Sequence, residues 1–344
     1  MKIVVFGAGG FIGGWLCEEL ADRHDVELIP CVRRWSSAVR LARRGFNVVQ
    51  VDLQQVTADV TLIAGADVVV NVSMPSPERE PELAFRLYSA CEAAGVRKFI
   101  QLSSIAVYGD QTGNVDEDTP PAPSSEYGRG KTEMECRLLK AASRSGPELF
   151  VLRPSIVYGP FSYKWTVHYA DFIAKSRWRS LGWSGAGFCN LVHGQDVAKS
   201  VILAALAQPD SRSHVLNING PEVLTWNEYI NRFGDALGVV GRTSMNSVLL
   251  GLTATLVHGG VRKVNSWVKR NGLHSHLQSA PALVRRARSL VNLYPTPEEL
   301  HLWRQKVRYP WDRAARVIGF NPSMSVDEGL RQSAEWCHVH GVIS

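Results

Sequence analysis

Tyr127 and Lys131 stand four residues apart in YGRGK (127–131), a spacing that on a helix puts both side chains on one face. An ammonium beside a phenol favours the phenolate, which makes such a tyrosine a base toward an alcohol and, once protonated, an acid toward a carbonyl. Upstream, LSSIAVYG (102–109) sets Ser103, Ser104 and Tyr108 at what reads as the carboxyl end of a strand, where a hydroxyl can hold a substrate oxygen opposite the phenol. Proton transfer of this kind belongs beside a ring that accepts a hydride. The opening of the chain provides for one: in GAGGFIG (7–13), Gly7, Gly10 and Gly13 recur at three-residue spacing, after a short apolar run and before a helical pattern. Glycines there make a tight strand-to-helix turn that backbone and ligand can share closely. The helix start turns unpaired N–H groups and partial positive charge toward the ligand, which suits a pyrophosphate.

The elements that must position these groups alternate along the first 155 residues. Strand patterns at 2–6, 26–32, 46–51, 66–72, 96–103 and 149–153 are separated by helical patterns at 11–20, 85–94 and 125–142. Such alternation means βαβ units and a parallel sheet. The expected fold is α/β, a doubly wound parallel (Rossmann) sheet with a smaller, mostly helical C-terminal substrate domain. Residues 1–160 read as the dinucleotide-binding domain, with segments near 190–220 returning to it, and 161–344 as mainly substrate-binding.

GAGGFIG (7–13), VDL (51–53), LSSIAVYG (102–109), YGRGK (127–131), RPSIVYGP (153–160) and NLVHGQDVA (190–198) follow one another over about 1–235, with a weaker stretch near 309–335. In these motifs and their order the sequence resembles the extended short-chain dehydrogenase/reductases, the NAD(P)-dependent epimerase/dehydratase group. The resemblance implies catalysis by Ser104, Tyr127 and Lys131. Ser104 is chosen over Ser103 because the family's hydroxyl lies four residues before the tyrosine of the YG pair, here Tyr108. It further implies a cofactor site made by Gly7, Gly10, Phe11, Ile12 and Gly13, by Asp52 and Leu53 near the adenine, by Tyr127 and Lys131 at the nicotinamide ribose, and by Pro154 along the nicotinamide. A homodimer through helices 85–94 and 125–142 is the family's usual assembly.

The position about twenty residues past the glycines holds the ribose 2′-hydroxyl in NAD-preferring folds when it is acidic. Here it is Arg33, followed by Arg34, and guanidinium groups suit a 2′-phosphate. NADP is therefore expected over NAD. The two residues after Ser104 are Ile105 and Ala106, neither able to move a proton, so dehydration is not expected. What remains is hydride transfer at a secondary alcohol or ketone carbon, as net redox or as epimerisation, with a nucleotide-activated sugar as the leading substrate. Cys189 stands where many nucleotide-sugar members carry an arginine, which leaves the phosphate grip to Arg304 or Arg308. One alternative is a reductase or dehydrogenase of a hydrophobic or lipid-linked alcohol or ketone at a membrane surface; another is a non-catalytic NADP-sensing protein.

The formal charge of +6 is local. Between Asp235 and Glu298 no acidic residue occurs, while Arg242, Arg262, Lys263, Lys269, Arg270, Arg285, Arg286 and Arg288 do. Interleaved with apolar runs, this stretch (236–297) reads as a helical substrate cap or as a peripheral contact with an anionic membrane. No nucleic-acid module is recognisable. Six cysteines lie scattered without CxxC pairs or metal-ligand spacing, so no metal is expected and a cytoplasmic, reducing setting is.

Overall fold

The structure is a computed structural model that describes residues 1–54, 61–246, 248, 250–252 and 294–343. Most of the basic insert, 253–293, lies outside the described residues. Two compact units emerge: one from residues 1–162, 190–222 and 307–326, the other from 163–189, 223–306 and 327–344.

In the first unit, strands β1 (Lys2–Phe6), β2 (Glu27–Val32), β3 (Val49–Gln50), β4 (Val68–Asn71) and β5 (Lys98–Leu102) alternate with helices α1 (Phe11–Leu20), α2 (Val39–Ala42) and α3 (Glu80–Ala93). The ribbon strand β6 (Gly113–Asn114), helix α4 (Glu126–Ala142) and strands β7 (Glu148–Pro154) and β8 (Ile156–Tyr158) follow. Strand Ser213–Ile218 completes a seven-stranded sheet in the order Ser213–Ile218, β7, β5, β4, β1, β2, β3, with every neighbouring pair parallel. This is the doubly wound α/β sheet expected from the alternation.

Successive strand residues point to opposite faces, and both faces are buried. Ile3, Val5, Val68, Val70, Phe150 and Leu152 pack with α1 and with helix Gly194–Leu206. Their neighbours Val4, Phe6, Val69, Leu149 and Val151 pack with Leu87 and Tyr88 of α3 and with Met134 and Leu138 of α4. Each large apolar side chain so buried contributes about 1.5–3 kcal/mol. Segment 307–326 closes the unit. Asn190 Nδ2 donates to the Val307 carbonyl at 2.9 Å, and Val115 N donates to the Arg308 carbonyl at 2.8 Å. Tyr309 stacks on Tyr108 with ring centroids 5.7 Å apart, and Phe320 enters the core.

The second unit is held by an aromatic cluster. Tyr169 stacks on Trp226 at 5.6 Å, and Trp303 Nε1 donates to the Tyr169 hydroxyl at 3.0 Å. Tyr229 donates to the Trp165 carbonyl at 2.7 Å. Among the described residues no helix is long and apolar enough to cross a membrane.

Candidate active site

From β1 the chain passes to β2 on one side, while β4 lies on the other, so the strand order reverses at β1. Ligands of open parallel sheets collect outside the carboxyl ends of the strands at such a point. Gly7 follows β1 with φ +88°, and a Cβ there would lie 2.6 Å from the backbone nitrogen of Ser73, just past β4. A Cβ on Gly13 would collide with the Gly7 carbonyl. α1 starts behind Gly10 with no side-chain cap and no acidic residue in its first turn, while Phe11 and Ile12 rest on the core. A cradle that any Cβ would fill, at an uncapped helix start, fits a dinucleotide pyrophosphate.

Around this cradle, Asp52 follows β3 and accepts the Gln54 N–H at 2.9 Å, and Leu53 packs on the core. Arg33 and Arg34 follow β2, exposed and without side-chain partners among the described residues. Pro154 is buried at the end of β7.

The residues expected from the sequence to handle protons sit at the end of β5 and the start of α4. Ser104 is half-buried, and its Oγ accepts the Ala106 N–H at 3.1 Å, capping the short turn Ile105–Tyr108. Ser103 points the other way, its buried hydroxyl donating to the Glu135 carboxylate. Ser125 caps α4, accepting the Gly128 N–H at 3.0 Å. In the first turn of that helix Tyr127 is half-buried, its hydroxyl without a partner among the described residues. Lys131 Nζ lies 5.6 Å from the centroid of the Tyr127 ring. It donates to Glu80 Oε1 at 2.6 Å and to the Leu102 carbonyl at 3.0 Å.

The two glycines of YGRGK bring α4 this close. A Cβ on Gly128 would run into the Ala106 carbonyl, and one on Gly130 into the Pro77 carbonyl. α4 can therefore press against both the turn after Ser104 and the loop ahead of Glu80.

Sequence reasoning missed the buried groups behind this row. Arg153 Nε donates to Glu135 Oε1 at 3.0 Å, and its Nη1 donates to the Tyr108 hydroxyl at 2.8 Å. Tyr108 in turn donates to Asn217 Oδ1 at 2.9 Å. Burial pushes the Tyr108 phenol up to about 12 against the pull of Arg153, so this second tyrosine of the region stays neutral. Glu135 was within reach of the i, i+4 rule from Lys131. Glu80, far off in sequence, gave no signal.

Of the remaining residues, His193 and Cys189 are buried, whereas Arg304 and Arg308 are exposed. His193 is buried, its Nδ1 accepting the Gln195 N–H at 3.3 Å between the rings of Trp15 and Tyr158. In the second unit Cys189 is fully buried and its thiol pushed well up by desolvation. Arg304 lies over the Trp183 ring at 4.3 Å, whereas Arg308 belongs to the first unit. Among the described residues no cluster suits a metal ion.

The family model described as the NAD dependent epimerase/dehydratase family matches residues 3–219, and the chain belongs to that family. An uncharacterized UDP-glucose epimerase of Bacillus subtilis is 31% identical over 186 residues, a match that spans 46% of this chain and 58% of that protein. A 2-alkyl-3-oxoalkanoate reductase of Stenotrophomonas maltophilia is 24% identical over 351 residues, covering 96% of this chain and 98% of its own length. Among solved structures, UDP-glucuronic acid 4-epimerase from Bacillus cereus, in complex with NAD, superimposes with a TM-score of 0.74 at 17% identity and 99% coverage of both chains.

Proposed function

We propose that the protein is an NAD-dependent epimerase of a UDP-sugar. Tyr127 moves the hydroxyl proton at the reacting carbon, Ser104 holds the substrate oxygen, and Lys131 biases the phenol toward the phenolate. The observation that carries this reading is the Lys131 ammonium 5.6 Å from the Tyr127 ring, on the helix face that meets the turn after Ser104. Tyr127 accepts the proton as the substrate alcohol becomes a carbonyl and returns it when the alcohol re-forms. The bound nicotinamide supplies the two-electron acceptor for that exchange. Lys131 has a third N–H for the ribose, beyond those given to Glu80 and Leu102.

NAD is preferred here over the NADP expected from Arg33 and Arg34. The family is NAD dependent by its description, and the Bacillus cereus epimerase carries NAD. Two exposed guanidinium groups without partners are equally compatible with solvated surface charge. The second unit is assigned to the substrate, and the outer faces of α3 and α4 to a second copy of the chain. Ile105 and Ala106 open the turn after Ser104 and offer no acid or base for water loss.

A second reading, reduction of a hydrophobic ketone, draws on the near full-length match to the alkanoate reductase. One experiment separates the two. The purified protein is incubated with NAD or NADP and UDP-glucose or UDP-glucuronic acid, and in parallel with NADH or NADPH and an alkyl ketone, following both sugar stereochemistry and reduced-cofactor absorbance. Epimerisation inverts a sugar carbon with no net absorbance change, and Tyr127→Phe lowers that turnover by at least about 10²-fold while still binding NAD. Normal turnover by Tyr127→Phe would falsify the catalytic assignment, and net cofactor oxidation with an alkyl ketone would favour the second reading.

A further inference from the structure

Lys131 is one half of a buried ion pair. Its side chain is 4% exposed and that of Glu80 2%, with Nζ and Oε1 at 2.6 Å. Burying two charges is costly unless close geometry and further hydrogen bonds compensate. Both are present: the Leu102 carbonyl takes a second N–H of the ammonium, and Glu80 is the first residue of α3, where the helix start favours an anion. Gly130 lets α4 touch the Pro77 carbonyl three residues before Glu80, which sets the distance between the two helices at this point.

The neighbouring ionisable groups are few. Tyr127 and Glu135 lie one turn to either side of Lys131 on α4, and Glu135 is bound to Arg153 of β7. β5 and the turn after it present Ser103 and Ser104. Ahead of α3, Glu78 and Arg79 are exposed, and Arg79 bonds Gln54 at 2.7 Å. Glu80 is therefore the carboxylate whose charge Lys131 meets directly.

We infer that Glu80 is a positioning residue of the reaction: with the Leu102 carbonyl it fixes the Lys131 ammonium and offsets its charge at Tyr127, so that Glu80, Lys131 and Tyr127 act as one unit. This rests on Tyr127 being the acid–base group. Glu80→Gln keeps the size and an acceptor for Lys131 but removes the negative charge. Lys131 then acts on Tyr127 less compensated, the phenolate is favoured at lower pH, and the acid limb of the kcat–pH profile moves down by about one pH unit. KM for the UDP-sugar stays near that of the unsubstituted enzyme. Glu80→Asp keeps the charge on a shorter arm; its acid limb stays in place while kcat falls about tenfold from misplacement.

Tyr127→Phe runs in parallel and keeps the two claims apart. Full turnover by Tyr127→Phe removes the reading of Tyr127. An inactive Tyr127→Phe together with an unmoved Glu80→Gln profile overturns the role of Glu80 alone. If Glu80→Gln does not fold, Glu80→Asp decides, and a kcat equal to that of the unsubstituted enzyme sinks the inference. Should no UDP-sugar be turned over, tyrosinate absorbance, taken as the difference from Tyr127→Phe in each background, reads the same shift without substrate, and no shift there overturns the inference.

Discussion

Two adjacent serines show how much one residue's direction decides. Ser104 turns its hydroxyl to the Ala106 N–H and Ser103 to the buried carboxylate of Glu135. Replacing each by alanine separates the roles. Ser104→Ala is expected to lower kcat by about 10²-fold, with stability lowered only by the loss of its cap on the turn Ile105–Tyr108, about 0.5–2 kcal/mol. Ser103→Ala leaves a buried acceptor short of one donor and lowers stability by about 1–3 kcal/mol, with activity following only the folded fraction. Equal behaviour of the two variants in activity and in urea denaturation would remove the distinction. The choice of Ser104 came from the family's spacing; alternation along an extended chain already requires neighbours to diverge. Arg33 and Arg34 were legible as charge, but charge without a partner does not specify a ligand, so they do not establish NADP. Glu80 was illegible because its meaning depends on a contact between helices far apart in sequence.

At the scale of elements, the YGRGK helix pits local preference against packing. Glycine inside a helix costs about 1 kcal/mol relative to alanine, and α4 carries two of them in its first turns. On an open helix face Gly→Ala would stabilise. Here Gly130→Ala drives a methyl into the Pro77 carbonyl and is expected to lower the urea midpoint instead, together with turnover, since it pushes Lys131 away from Glu80. A raised midpoint would show that the close approach of α4 is dispensable. Element types were readable wherever apolar periodicity was strong: the helix expected at 11–20 forms as Phe11–Leu20. The helix expected from residue 85 begins at Glu80, because Pro81 and the acidic first turn are start signals that apolar periodicity does not register. The strand expected at 46–51 shrinks to Val49–Gln50, an edge strand with one neighbour, β2, to hold it.

For the whole molecule, all six cysteines are free and Cys136 on α4 is the exposed one. Burial pushes the thiols of Cys17 and Cys31 up to about 12, which keeps them unreactive as well as hidden. Ellman's reagent is therefore expected to modify one thiol in the native protein and six after unfolding. A second copy seated on α3 and α4 covers Cys136, so the proposed homodimer predicts slower labelling at high protein concentration and faster labelling on dilution. A rate independent of concentration would leave that face uncovered.

The unit that carries the glycine turn is assembled from three stretches of chain, the last ending at residue 326. During synthesis, the sheet made by residues 1–222 waits for Tyr309 to cover Tyr108 and for Phe320 to fill its place. At ordinary ribosomal speed the remaining stretch takes roughly 5–20 s to emerge. Through that interval the nascent chain displays an unsealed apolar seam, a window in which holdase chaperones have something to grasp.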